Sequence, residues 1–177
     1  CYEKAVEMDP DYALAHAALS MWHQSLTFWA DAEPRVAFAE SRREALRAIE
    51  IDDSIALAHN CLAIILCMHD WSWDEAEAEF RRALELDASS AFGHLNYAFH
   101  LSGLGRQEEA IEETRIAQRL VPLSTVVNTW AASRLLPLVY DELHALAQRY
   151  MISRYSRRGG DRGSSMPWFG SMSIGAR

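Results

Sequence analysis

Apolar and small residues recur along most of this chain at the spacing of one face of an α-helix. The segments 11–20 (DYALAHAALS), 54–63 (SIALAHNCLA) and 90–99 (SAFGHLNYAF) share this pattern and carry one histidine at the same place. Charged amphipathic segments such as 78–88 (AEFRRALELDA) lie between them. Since no stretch combines the strict apolar–polar alternation of a strand with turn signals, the pattern predicts an all-α chain of helix pairs.

The pattern also has a long period. The repeated histidines, His16, His59 and His94, are 43 and 35 residues apart. Periods of this length are typical of solenoid proteins, in which each helix pair stacks on the next. We therefore predict an α-solenoid of about three and a half repeats in residues 1–155. The predicted boundaries are a half repeat at 1–10, repeats at about 11–53, 54–88 and 89–122, and a degenerate repeat at 123–155.

The positions within each unit resemble the tetratricopeptide repeat (TPR), whose signature is W-x2-L-G-x2-Y, then A-x3-F, then P. The third unit reads His94-x2-Tyr97-Ala98-x2-Leu101, followed by Ala110-x3-Thr114 and Pro122. The second unit reads His59-x2-Leu62-Ala63-x2-Leu66, followed by Ala76-x3-Phe80. The resemblance implies a right-handed superhelix of antiparallel helix pairs that binds other proteins and is not an enzyme.

Two stretches carry a narrower resemblance. Residues 56–87 and 103–129 are similar to the repeat regions of bacterial signalling proteins, where such arrays follow adenylate/guanylate cyclase, winged-helix DNA-binding or protein-kinase domains. This implies a regulatory array of a larger cytoplasmic protein that binds a protein or peptide partner. A neighbouring domain of the same polypeptide and a second copy of the chain are alternative occupants of the binding face, and a non-catalytic fragment of a cyclase-type enzyme is an alternative origin.

Charge changes this picture only at the C-terminal end. Residues 1–152 carry 12 basic and 24 acidic side chains, whereas 153–177 carry five arginines and one aspartate. An acidic body disfavours binding to a phosphate backbone, so no nucleic acid is expected there. The Arg/Gly/Ser-rich tail, 156–177, is predicted to be disordered, with nucleic-acid binding as the alternative. The longest apolar run, 61–68, is too short to span a bilayer, and the odd number of cysteines, three, indicates reduced thiols in the cytoplasm.

The stretch with the most candidate chemistry is 69–77 (HDWSWDEAE). It lies between two predicted helices, which favours a turn with an S-x-x-E capping box from Ser72 to Glu75. The three repeated histidines are expected to be about 10 Å apart in stacked units, too far to share one metal. They are therefore predicted to be packing residues. No nucleophile elbow, H-E-x-x-H motif or P-loop is present, and no cofactor or metal is predicted.

Partner binding is then expected on the concave face, which repeat arrays line with the first helix of each pair. By register the predicted lining is apolar with one amide: Leu14, Ala17, Met21, Leu57, Asn60, Ile64, Phe92, Leu95 and Phe99, continued in the last unit by Val126, Thr129 and Ser133. This face lacks the basic residues that would hold a peptide carboxylate. It therefore favours capture of an apolar helix.

Overall fold

A computed structural model describes residues 2–29, 33–125 and 127–129 of the chain. These ranges contain the helices α1 (Tyr2–Met8), α2 (Ala13–Trp29), α3 (Pro34–Ile51), α4 (Ala56–Ile65), α5 (Trp73–Leu86), α6 (Ala91–Gly103) and α7 (Gln107–Leu120). No strand occurs in them. The predicted tail at 156–177, the degenerate repeat beyond 129, Ser133 and the side chain of Val126 lie outside the described residues.

The helices pack as consecutive pairs. The most extensive contacts join α2 to α3, α4 to α5 and α6 to α7, and α1 packs on α2. Each pair also contacts the next, through α3 with α4 and through α5 with α6, while the first helices meet directly in α2–α4 and α4–α6 contacts. The predicted all-α stack of helix pairs is confirmed. None of the described helices combines the length and apolar character that crossing a bilayer requires.

The core alternates small and large side chains. Alanines of the paired helices are buried where neighbouring helices meet: Ala48, Ala63, Ala76, Ala83, Ala98, Ala110 and Ala117. Small side chains there allow the helix axes to approach closely. Phe80 is buried on α5, where its ring lies 5.9 Å from that of Tyr97 and 5.4 Å from that of His100 on α6. Because these contacts join one pair to the next, stacking rather than any single pair completes the core.

The second unit contains one residue more than the third between its histidine and its second helix. A single π-helical turn, Leu66–Asp70, follows α4 and takes up this residue. A π turn bonds i to i+5 and so holds one residue more than an α turn. It ends at Trp71, which has a left-handed backbone with φ 59°. The 35-residue spacing from His59 to His94 therefore has a local structural cause.

The predicted capping box is wrong. Ser72 does occupy the N-cap position of α5, but its side chain makes no capping hydrogen bond. Its backbone, with φ −88° and ψ 75°, departs from the extended conformation that is typical of a capping residue. Ser90 caps α6 instead, accepting a hydrogen bond from the Gly93 N–H at 3.1 Å.

Candidate functional site

Charge is segregated between the two helices of each pair. The first helices, α2, α4 and α6, contain no Lys, Arg, Asp or Glu. The second helices, α3, α5 and α7, carry six or seven charged residues each. Any surface built from first helices alone therefore contains no Lys, Arg, Asp or Glu side chain.

The first helices share a cavity of about 320 Å³, which we call the groove. Its lining residues come from α2, α4, α5, α6 and the turn between α5 and α6: Met21, Ala56, Leu57, Asn60, Ala83, Asp87, Ser90, Phe92 and Gly93. Four of the nine predicted binding residues, Met21, Leu57, Asn60 and Phe92, line this cavity. Its volume is at the lower end of the range for ligand sites and would hold a few side chains of a partner.

The other predicted residues lie elsewhere. Ala17 is buried against Ala48 and Ala58, and Leu95 against Ala117 and Val127, so neither offers surface to a partner. Helix packing within and between pairs covers these two positions, which corrects the predicted lining. Leu14 is 46% exposed, while Ile64 and Phe99 are half-buried and pack against the core. These three lie on first helices outside the groove, and Thr129 is exposed.

Asn60 supplies the polar chemistry of the groove. The residue is only 4% exposed. Its Oδ1 accepts a hydrogen bond from Asn96 Nδ2 at 3.3 Å, whereas its Nδ2 has no partner within the described part of the chain. An unpaired buried donor costs about 1–3 kcal/mol. Because this nitrogen is buried, a partner's carbonyl oxygen would recover that energy only after the side chains that cover the amide had moved aside.

The remaining lining is apolar with one carboxylate. Phe92 is 49% exposed, and Leu57 and Met21 are half-buried. Asp87 is the charged member of the lining set, and its Oδ1 already accepts hydrogen bonds from the N–H and hydroxyl of Ser89 at 3.0 and 2.7 Å. The groove thus offers apolar contact and one amide donor, with no cation among its lining residues.

Each repeated histidine holds the turn that precedes its own helix, an arrangement we call the clamp. His94 Nδ1 lies 2.5 Å from a carboxylate oxygen of Glu113 on α7, and its Nε2 lies 3.1 Å from the carbonyl oxygen of Ala88. His59 repeats this with Glu79 at 2.7 Å and the Asp53 carbonyl at 3.0 Å. The same contacts join His16 to Glu44 at 2.6 Å and to the Pro10 carbonyl at 3.0 Å.

Solved structures with the same arrangement of helices identify the fold. TTC0263, a thermophilic TPR protein of Thermus thermophilus, is 21% identical with a TM-score of 0.63, over 76% of this chain and 70% of that one. MamA is 16% identical with a TM-score of 0.56, over 87% and 88%. The second TPR domain of human RPAP3, solved with the HSP70 peptide SGPTIEEVD, is 17% identical with a TM-score of 0.52, over 69% and 97%.

The chain has the TPR fold. No protein-family model matches the sequence, and no curated protein matches it either. At these levels of identity the similarity to solved structures establishes the arrangement of helices and leaves function to the residues of this chain.

The glutamates of the TPR clamps were missed from the sequence, although a signal for them exists. Glu44, Glu79 and Glu113 each precede a buried alanine of the second helix, Ala48, Ala83 or Ala117, by four residues. The hydrogen bond to Glu79 raises the pKa of His59, and that to Glu113 raises the pKa of His94; in both cases the bond outweighs burial. The histidines predicted to be packing residues are buried, and they also make polar contacts.

Other reactive groups of the TPR array are enclosed. Cys61 and Cys67 are buried free thiols, and burial raises their pKa to about 12 and about 11. Such thiols are poor nucleophiles at neutral pH. Within the described ranges, no three His, Cys, Asp or Glu side chains are grouped so that they could hold a metal ion.

Proposed function

We propose that this TPR array is a protein-interaction module and that its groove binds an apolar segment of a partner protein. The observation that carries the proposal is the largely apolar groove, which has Asp87 as its charged lining residue and the unpartnered amide of Asn60 in its lining. Apolar side chains of the segment would pack on Leu57, Phe92 and Met21. A backbone carbonyl of the segment would accept from Asn60 Nδ2, which supplies direction in an otherwise apolar contact.

The charge of the groove selects against acidic partners. The peptide bound by the RPAP3 domain, SGPTIEEVD, is acidic at its end. In this chain the groove-lining residues include no Lys or Arg, and Asp87 would repel a carboxylate. An amphipathic helix that inserts its apolar face fits this surface better. The proposed partner therefore differs in chemistry from the peptides of those structural neighbours.

The wider setting rests on the sequence resemblance. We propose that the array is the cytoplasmic regulatory part of a larger bacterial signalling protein. A neighbouring domain of the same polypeptide, or a second copy of the chain, would fill the groove by the same apolar contacts. The boundaries of the repeats, 1–10, 11–53, 54–88, 89–122 and 123–155, belong to this proposal as well.

A displayed library of random 15-residue peptides, selected on the purified protein, tests the binding proposal. Fluorescence anisotropy then gives the Kd of the selected peptides for the protein and for a Leu57→Glu/Phe92→Glu variant. We expect apolar, non-acidic peptides and a Kd raised at least about 100-fold in the variant, because two charges would be buried on binding.

The matched control is Val36→Glu/Leu46→Glu on α3, which adds the same charges at residues that are 57% and 48% exposed and lie off the groove. This variant should bind the peptides normally. Equal loss of binding in both variants, or selection of acidic peptides only, would contradict the proposal.

A further inference from the structure

The clamps affect the groove because the backbone carbonyls that accept from their histidines lie in turns close to it. His94 holds the carbonyl of Ala88, which belongs to the turn between α5 and α6. Asp87 and Ser90 of the same turn line the groove. His59 holds the carbonyl of Asp53 in the turn before α4, whose first residues, Ala56 and Leu57, also line it. All three clamps hold the turn before a helix that lines the groove, but only these two turns contain lining residues or directly precede them.

The hydrogen-bond partners determine where the protons are. A backbone carbonyl can only accept, so Nε2 of His94 must carry a hydrogen. When Glu113 is ionised its carboxylate also only accepts, so Nδ1, which lies 2.5 Å from it, then carries a hydrogen too. With both nitrogens protonated, the ring is an imidazolium paired with a carboxylate. The same reasoning applies to His59, between Glu79 and the carbonyl of Asp53.

The charged groups around each ring favour this state. His94 faces Glu113 on α7 and Asp87 in the turn after α5. His59 faces Glu79 on α5 and Asp53, whose Oδ1 lies 3.3 Å from Nε2. The guanidinium of Arg82 donates to Oδ2 of Asp53 and not to Glu79, the carboxylate on α5 that pairs with the His59 ring. Carboxylates therefore outnumber cations at both rings, and both side chains are shielded from solvent.

We infer that His94 with Glu113, and His59 with Glu79, are proton-dependent positioning residues of the groove: with the imidazolium formed they hold its turns in place, and loss of the proton releases them. The inference rests on the proposed function for its consequence, since a loosened turn would weaken partner binding. Whichever ring nitrogen loses its proton, its lone pair then faces an oxygen atom, that of the carboxylate or that of the turn's carbonyl, and repulsion replaces the hydrogen bond. The pair can relieve this only by separating or by admitting water.

The first clamp is different and supplies a comparison. Glu44 bonds both to His16 and to the guanidinium of Arg43, at 2.8 Å. Its carboxylate therefore keeps a permanent cationic partner when the imidazole is neutral. His16 also holds a turn that contributes no residue to the groove. The proton dependence of the groove is thus assigned to the second and third clamps.

Nitrogen-15 NMR of the histidine rings tests the protonation state without any partner. The full chain is titrated from about pH 5 to about pH 9, and the ring shifts of His59 and His94 are followed. We expect both nitrogens of these rings to be protonated at neutral pH, with titration midpoints above the ordinary histidine value of about 6.5. A neutral ring for both residues at pH 6.5 would overturn the inference.

Paired variants separate positioning from general stability. Glu113→Gln should lower the midpoint of His94 and leave that of His59 unchanged, while Glu112→Gln, at the exposed neighbouring residue, should change neither. Hydrogen exchange at the Ser90 and Gly93 amides should be roughly tenfold less protected in Glu113→Gln, as expected for loss of a charged hydrogen bond. Unchanged protection of the turn would overturn the positioning role.

The effect of the proton on partner binding is measured as the Kd of a library-selected peptide at a series of pH values. We expect the Kd to rise above the His94 midpoint in the native protein and to lose this pH dependence when Glu113→Gln and Glu79→Gln are combined. If the rings are protonated and the turns respond but binding does not change with pH, the regulatory inference fails. If no peptide binds at any pH while the rings behave as expected, the proposed function is what fails.

Discussion

Helix α6 carries two buried histidines in opposite environments. His94, near its start, bonds to a carboxylate and a carbonyl. His100, near its end, is fully buried among the rings of Trp73, Phe80 and Tyr97, and neither of its ring nitrogens has a partner in the described structure. The hydrogen bond to Glu113 raises the pKa of His94, whereas burial lowers the pKa of His100. The surroundings, rather than the residue type, decide whether a histidine serves as a charged clamp or as an aromatic packing element.

The largest expected loss of stability comes from removing a ring of the aromatic cluster around His100. Phe80→Ala removes a ring that touches both Tyr97 and His100 in the core between the second and third pairs. We expect a loss of about 3–5 kcal/mol in the free energy of unfolding, measured by urea denaturation, because transfer and cavity costs add. Phe80→Leu, which keeps most of the volume, should cost about 1–2 kcal/mol. Equal effects of the two variants would contradict close packing here.

Breaking the contact between His94 and Glu113 should destabilise the protein less than Phe80→Ala does, but by a measurable amount. Glu113→Ala leaves the His94 ring without its carboxylate, and we expect a loss of about 1.5–3 kcal/mol in the free energy of unfolding at neutral pH. The control is Glu112→Ala, which removes only exposed pairs with Arg115 and Arg119 and should cost at most about 0.5 kcal/mol. Similar losses in the two variants would place the clamp among ordinary surface ion pairs.

The free energy of unfolding should depend on pH through both kinds of histidine, the carboxylate-paired His59 and His94 and the aromatic-packed His100. The raised pKa of His59 and His94 means that their stabilisation is complete below about pH 6.5 and is lost as pH rises through the folded-state values. The lowered pKa of His100 means that its stabilisation is present above about pH 6.5 and is lost as pH falls through its folded-state value. Glu77 and Arg106 are the charges that act on His100, with opposing effects.

Stability should therefore be greatest near pH 6.5, and each group should change the free energy of unfolding by at most about 1.4 kcal/mol per pH unit. Urea denaturation between about pH 5 and about pH 9 measures this profile. His100→Phe should flatten the acid side, and Glu79→Gln with Glu113→Gln should flatten the alkaline side. A native profile without an alkaline decline would contradict the charged clamps.

The smallest expected effect concerns the turn that the third clamp holds. Ser90→Ala removes the cap that accepts from Gly93 N–H and should cost about 1 kcal/mol. Ser72→Ala removes a side chain that makes no cap and should cost only a few tenths of a kcal/mol. Thermal melts of the two variants compare these caps. A larger loss for Ser72→Ala would restore the capping box that the sequence suggested.

The sequence was sufficient for the fold but only partly for the site. Periodicity and small residues at the contact positions predicted the helix pairs, because these features are local and repeated. The clamps were missed because His94 and Glu113 are 19 residues apart, and only the packing of α6 on α7 brings them together. The same limit applies to Ala17 and Leu95, which occupy the position of Asn60 in their own units but are covered by neighbouring helices. Helical register gives the side of a helix and not how much of that side is covered.

The extra residue before α5 shows a further limit. A count of residues detects the insertion, but whether it becomes a loop or a π turn depends on packing around Leu66 and Cys67, both of which are buried. The turn ends at the left-handed Trp71, and the backbone of the next residue, Ser72, lies outside the usual capping conformation. A motif of four letters, S-x-x-E, could not anticipate this.

Methyl NMR tests the central claim, that the first helices present one apolar partner-binding groove, most directly. A library-selected peptide is titrated into the chain labelled at Met, Leu and Ile methyl groups. Binding in the groove should shift Met21 and Leu57 most strongly and leave Leu46, on the outer side of α3, unchanged. Shifts centred on Leu46 or on α1, with Met21 and Leu57 unaffected, would contradict it.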